Sequence, residues 1–204
     1  MSALRLVLDA GNTRIKWALA RGGNFVANGA VPTNASGRLG REWMGLDLHG
    51  VRAVACSVAG DAVRAAVADA VAAAGGEGVA WLASGERCAG VRNGYARPSQ
   101  LGVDRWAALI GARARSHEPT IIVNAGTAIT IDALTASGEF IGGMILPGVE
   151  LMLEALASRT AGLTAQRGAF SEFPRNTADA MTTGALDAAT GAATRAQLRL
   201  QGRE

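Results

Sequence analysis

One short pattern occurs twice in this chain and limits what it can fold into. Leu4, Leu6, Val7 and Leu8 form an apolar run that ends on Asp9. The small residues Ala10-Gly11-Asn12-Thr13 follow, and alternation resumes through Ile15, Trp17 and Leu19. The run reads as a buried strand, the small residues as a tight turn whose Gly and Asn accept positive φ, and the alternation as a second strand paired to the first. Further along, Ile121-Ile122-Val123-Asn124-Ala125-Gly126-Thr127-Ala128-Ile129-Thr130-Ile131-Asp132 repeats the pattern, with Asn124-Ala125-Gly126-Thr127-Ala128 aligned on Asp9-Ala10-Gly11-Asn12-Thr13. Two copies of one supersecondary unit predict two similar α/β half-domains facing each other. A carboxylate beside turn amides suits a metal on one side and phosphate oxygens on the other. A glycine turn from each half is therefore expected to clamp one polyphosphate.

The length of 204 residues permits one large domain or two small ones, and with 49% hydrophobic and 18% charged residues a sizeable core is expected. Aromatic residues are only 4%, so that core is built from Ala, Val, Leu and Ile. The net charge of +3 comes from scattered arginines, with Lys16 the single lysine, and no basic run for nucleic acid is present. Cys56 and Cys88 share no metal-ligand spacing. Cys56 lies in an apolar run, where a buried free thiol is ordinary, and a reducing compartment follows. The N-terminus enters a strand directly, without a signal-peptide pattern. Residues 63–74 are apolar but interrupted by Arg64 and Asp69, and too short to span a bilayer. The expectation is a soluble, cytoplasmic chain with neither a nucleic-acid nor a membrane partner.

In order, the pattern predicts a third strand over 24–31 after a Gly22-Gly23 turn, a short helix over 36–43 and a strand over 51–56. A helix capped by Asp61 then runs to Ala74, is stopped by Gly75-Gly76, and leads to a strand over 79–82. Residues 87–99 read as loop, and 101–116 as a helix whose first turn holds Gly102-Val103-Asp104-Arg105. After the second hairpin come a strand over 139–146, the Pro147-Gly148 turn, a helix over 149–156, a loop, and a helix over 177–200. The division expected is 1–100 and 101–204, with the second sheet short of its last strands. That would expose a sheet edge and leave Leu186 and Leu198 uncovered.

Four constellations carry chemistry: Asp9 with Gly11-Asn12-Thr13, Gly126-Thr127-Ala128, Asp104-Arg105, and Gly142-Gly143 with Pro147-Gly148. Paired glycine turns heading two β-β-β units resemble the actin-like ATPase superfamily. Within it the chain resembles the type III pantothenate kinases. The similar motifs are Asp9-Ala10-Gly11-Asn12-Thr13 with Lys16; Pro98-x-x-Leu101-Gly102-Val103-Asp104-Arg105; Gly126-Thr127-Ala128-x-Thr130-x-Asp132; Gly142-Gly143 with Pro147-Gly148; and Asn176-Thr177-x-x-Ala180 with Gly184. The fold implied is two ribonuclease-H-like half-domains with a cleft between, the second incomplete.

The resemblance implies ATP-dependent phosphorylation of pantothenate, the first step of coenzyme A synthesis, with Mg²⁺, a monovalent cation (K⁺ or NH₄⁺) and a homodimer. It makes Asp104 the general base. Tyr95, Gly102, Val103, Asp104, Arg105 and Thr177 would contact pantothenate. Asp9, Ala10, Gly11, Asn12, Thr13, Arg14, Ile15 and Lys16, together with Thr127, would hold phosphates, and Asp9 would also take Mg²⁺. Asn124 stands where the family usually has an aspartate that ligates the monovalent cation; it keeps a carbonyl oxygen and loses the charge. The chain also stops where relatives continue into a strand, a Gly-Gly turn and a further strand and helix.

Simpler readings stand beside these. Asp104 merely charges a helix start, Arg105 pairs on the surface, and Tyr95 is loop packing. Asp132 pairs structurally, His49 and His117 are surface residues, and Trp17, Trp43, Trp81 and Trp106 are core. Two other functions also fit the sequence: a catalytically impaired or regulatory nucleotide-binding relative of the same fold, and a sugar or acetate kinase.

Overall fold

A computed structural model describes residues 3–160 and 162–203. The chain divides into two compact units, Met1–Ser84 with Ser99–Ala107, and Gly85–Pro98 with Ala108–Glu204. A boundary at residue 100 would put Asp104 in the second half. In the structure its segment packs with the first.

The first unit is built on β1 (Leu4–Ala10), β2 (Arg14–Arg21), β3 (Asn24–Pro32), α1 (Leu39–Glu42), β4 (Arg52–Ser57), α2 (Asp61–Ala73) and β5 (Val79–Trp81). The sheet order is β3-β2-β1-β4-β5. β1 is antiparallel to β2, β2 is antiparallel to β3, and β4 and β5 run parallel to β1. Alternation along β1 buries Leu6, Leu8 and Ala10, which join Ile15, Trp17, Leu39, Trp43, Val67 and Val71 in one core on the face covered by the helices. Val7 and Asp9 consequently fall on the opposite face. Trp17 packs edge-on against Trp43, and Gly29 makes room for it, since a Cβ there would lie 2.9 Å from the indole. Gly22 and Gly23, at φ of 59° and 86°, turn the chain between β2 and β3 as expected.

The second unit contains β6 (Arg87–Cys88), β7 (Val91–Asn93), most of α3 (Val103–Arg115), β8 (Thr120–Ala125), β9 (Ala128–Leu134), β10 (Glu139–Pro147), α4 (Val149–Arg159) and α5 (Thr177–Gln201). Its sheet order is β6-β7-β10-β9-β8. Two antiparallel pairings, β8 with β9 and β9 with β10, reproduce the antiparallel half of the first sheet. Among the described residues no strand pairs with the outer side of β8, and Leu198 is exposed. α5 packs Ala196 and its neighbours on Ile129 and Ile131, and packs Met181 and Ala185 on Leu153 of α4.

Four local expectations need correcting. Residues 87–99 are not all loop: β6 and β7 form a minimal hairpin, and β7 pairs in parallel with β10 through Glu139 and Phe140. The helix expected over 36–43 is a 3-10 turn over Thr33–Arg38 followed by the short α1. Asp61 is the first helical residue of α2, and Gly60 takes the cap position with no side-chain bond. The fourth concerns the glycine turns. Gly11, Asn12 and Gly126 are absent from the positive-φ positions, so these turns close without left-handed residues.

Candidate active site

Strand register assembles the site in the first unit. Asp9 faces Lys16 across the β1–β2 pair and Cys56 across the parallel β1–β4 pair. Neighbours at one register position share a face of the sheet. Lys16 Nζ lies 3.7 Å from Asp9 Oδ2, and the Cys56 thiol donates to Asp9 Oδ1 at 3.6 Å. The lysine side chain is 65% exposed and the aspartate side chain 43% exposed, so this ion pair is open to exchange with a ligand. Cys56 is buried.

The turn beyond Asp9 is braced by Thr33, whose amide donates to Thr13 O and whose hydroxyl donates to Gly11 O at 2.7 Å. Within the turn, Gly11 N donates to Arg14 O. Ala10 and Ile15 are fully buried and paired to each other across β1 and β2, whereas Asn12, Thr13 and Arg14 are exposed and are the part of the turn open to a ligand.

Asp104 sits in the first turn of α3, with its Oδ1 accepting from the Arg105 amide at 2.8 Å. A Cβ at position 102 would come within 2.6 Å of that oxygen, so glycine there is what lets the carboxylate occupy its position. The Cys56 thiol lies in the field of both carboxylates. Its pKa is pushed up to about 12, first by burial, then by the Asp9 charge and hydrogen bond, and then by the Asp104 charge. Two carboxylates from distant parts of the sequence thus act on one thiol. A groove of about 760 Å³ runs along this face, lined by Asp9, Lys16, Cys56, Phe25 and Ala107 among others. Arg105 is 4% exposed, which sets aside the reading of a surface ion pair. Among the described residues no three His, Cys, Asp or Glu side chains cluster as a metal cage.

The second unit carries the remaining candidates. Asn124 occupies on β8 the place that Asp9 has on β1, and its amide donates to Thr130 Oγ1 at 3.1 Å. Thr127 is exposed in the following turn. Gly148 approaches that turn closely: its amide donates to Thr127 O at 2.8 Å, and a Cβ on it would collide with the carbonyl oxygens of Gly126 and Thr127. Gly142, with φ of 127°, marks a bulge in β10. Tyr95 packs on Phe140 with ring centroids 5.3 Å apart. Thr177 opens α5 next to Asn176, whose side chain caps Asp179 N at 2.9 Å, and it lines a separate hollow with Leu156, Leu163 and Met181.

A family profile for type III pantothenate kinase matches residues 5–198. The chain belongs to the type III pantothenate kinase family. The type III pantothenate kinase of Aromatoleum aromaticum is 49% identical over 191 residues, covering 92% of this chain and 76% of that protein. That of Methylibium petroleiphilum is 45% identical over 208 residues, covering 97% of this chain and 82% of that protein. A solved structure from Campylobacter jejuni, described as a Baf family transcriptional activator, superposes with a TM-score of 0.58 at 18% identity over 94% of this chain and 78% of that one, a likeness of fold. The chain is accordingly an enzyme of the kinase class, with pantothenate kinase function in coenzyme A synthesis. Among the described residues no helix is long and apolar enough to cross a membrane.

The site residue that sequence reasoning passed over is Cys56. The available signal was its place in a strand run predicted to be buried, but its pairing with Asp9 depends on the register of two strands 47 residues apart.

Proposed function

We propose that this pantothenate kinase family member transfers the γ-phosphoryl group of ATP to the primary hydroxyl of pantothenate, giving 4'-phosphopantothenate and ADP. Asp104 is the general base: it accepts the hydroxyl proton as the oxygen bonds to the γ-phosphorus and the bond to the ADP oxygen breaks. The turn from Asp9 to Lys16 holds the phosphates with backbone amides and with the Lys16 ammonium, which leaves Asp9 for a phosphate when ATP is present. Thr127 contributes a second phosphate contact. Gly102, Val103 and Arg105, with Tyr95 and Thr177, bind pantothenate, and the working enzyme is a homodimer.

The donor set fits Mg²⁺ of the nucleotide-bound kind. One half-exposed carboxylate, with an exchangeable lysine on one oxygen, suits an ion that keeps most of its ligands as phosphate and water. When bound, that ion neutralises charge on the phosphates. Asn124 spends its amide on Thr130, and its carbonyl oxygen is the neutral donor offered to K⁺ or NH₄⁺.

What supports this reading is the exposed Asp9–Lys16 pair at the first turn and the Asp104 carboxylate at the start of α3, together with the family match. The test is ATP consumption dependent on pantothenate, measured on the wild type and on Asp104→Asn. A loss of about 10²–10⁴-fold in kcat, with folding intact, is expected for removal of a general base. ATPase activity that ignores pantothenate, or equal turnover in the two proteins, would refute the assignment and point to a regulatory nucleotide-binding relative.

A further inference from the structure

We infer that Cys56 is a positioning residue for Asp9: its thiol holds Oδ1 and so turns Oδ2 toward the phosphate and metal position. The inference rests on the proposed role of Asp9.

The two carboxylate oxygens have unlike partners. Oδ2 meets Lys16 at 3.7 Å, on a side chain that is largely in solvent. Oδ1 meets the thiol at 3.6 Å, on a residue 8% exposed in a strand interior. The lysine has a long flexible stem and a charge that a phosphate can claim. The thiol has a single rotor on a strand paired residue for residue with β1. When ligand enters, the Lys16 contact is therefore the one that yields, and the Cys56 contact persists. A carboxylate pinned at one oxygen has lost the freedom to rotate about its last bond, and an outer partner of that kind tunes the affinity of the ligand it supports. At neutral pH a thiol adds a donor and no charge. That matters beside two carboxylates, because a third anion would oppose phosphate binding. Serine keeps the donor; alanine and valine do not.

The experiment measures binding and not turnover. Mn²⁺ serves as a paramagnetic probe for the divalent ion, titrated with β,γ-imido-ATP present, on wild type, Cys56→Ser, Cys56→Ala and Asp9→Asn; affinity for the analogue without metal is measured in parallel. Outer-shell partners usually contribute 10–100-fold, and a thiol is a weak donor, so Cys56→Ala should weaken Mn²⁺ by about 3- to 10-fold. Cys56→Ser should stay within about 2-fold, and neither change should move the metal-free affinity. Should Cys56→Ala not fold, Cys56→Val carries the same comparison with a side chain that fills the strand position.

If Asp9→Asn loses Mn²⁺ while Cys56→Ala binds it as the wild type does, the positioning role is overturned and the role of Asp9 stands. Equal losses in the serine and alanine variants would reduce Cys56 to packing and overturn it as well. Unchanged Mn²⁺ binding in Asp9→Asn would instead remove the reading on which the inference rests.

Discussion

Gly102→Ala isolates the position of Asp104 from its chemistry. The added Cβ would lie 2.6 Å from Asp104 Oδ1. Ordinary contact begins near 3.4 Å, so the carboxylate must swing away by about 0.8 Å, which a partly exposed aspartate side chain does by rotating while the backbone stays in place. The bond from the Arg105 amide, now 2.8 Å, goes with it. A misplacement of about 1 Å in a reacting group costs on the order of 10²-fold. The expected fall in kcat is therefore about 30- to 100-fold, or about 2–3 kcal/mol of transition-state stabilisation. KM for ATP should not move, because Asp104 has no part in holding the nucleotide. Stability should hold or rise slightly: Gly102 is not at positive φ, and Ala restricts the unfolded chain. Gly111→Ala on the same helix is the control. Nothing lies within 4 Å of a Cβ there, and the change should add about 0.5–1 kcal/mol of stability with kcat unchanged. The assay pairs initial rates at saturating ATP with thermal unfolding. A folded Gly102→Ala enzyme with kcat within 3-fold of wild type, on the scale of about 10²-fold expected for a displaced base, would show that the carboxylate's position does not matter, and the general-base assignment would fall.

Gly148→Ala should raise KM for ATP and lower stability by about 1–3 kcal/mol, the usual cost of forcing extra carbon into packed atoms. The Cβ meets the backbone oxygens of Gly126 and Thr127, and neither can swing aside; unchanged KM and melting temperature would refute this. Asn124→Asp restores a charge beside Thr130, and turnover in that variant should depend more steeply on K⁺ than in the wild type, as read by a K⁺ titration. The Cys56 thiol, with a pKa near 12, should resist alkylation at pH 8 while exposed Cys88 reacts. The sign for stability follows from the same shift. The folded pKa lies above the unfolded one, so the contribution is complete below pH 9 and is lost as pH rises from there toward 12. Cys56→Ala should flatten the alkaline limb of a denaturation-versus-pH curve.

Glycine punctuation and apolar period made most elements legible. β3 after Gly22-Gly23, α2 before Gly75 and α5 after Asn176 all lie within a few residues of where the sequence put them. Their signals are local, since each depends on a turn, a cap or a face within one element. What stayed hidden depends on partners far along the chain. β6 and β7 have two and three residues, too few to show a period, and their pairing depends on β10 more than forty residues later. The packing of Asp104 with the first unit is likewise tertiary. The candidate site was legible as residue types and spacings, but not as contacts. Asp9 and Asp104 could be named from the sequence, whereas the thiol that responds to both could not.

The internal echo also turns out to be unequal, and the inequality is informative. Four residues, 11–14, separate the paired Ala10 and Ile15; three, 126–128, separate the paired Ala125 and Ile129. At the position just before each turn the cross-strand pair is Asp9 with Lys16 in one hairpin and Asn124 with Thr130 in the other. The acid and its cation have both become neutral, so the second hairpin keeps a hydrogen bond in place of an ion pair. Removing only the carboxylate would have left an ammonium beside the turn; removing only the lysine would have left an uncompensated acid. Changing both keeps the strand pair satisfied without charge. The braces differ too: a threonine hydroxyl and amide tie the first turn, and a glycine that admits no side chain backs the second. The first hairpin can trade its lysine for a ligand and keep its shape, because Thr33 and Cys56 hold the turn and the carboxylate independently of Lys16. The second has no charge to trade, and what it can offer a ligand is confined to backbone, the Thr127 side chain and the Asn124 oxygen.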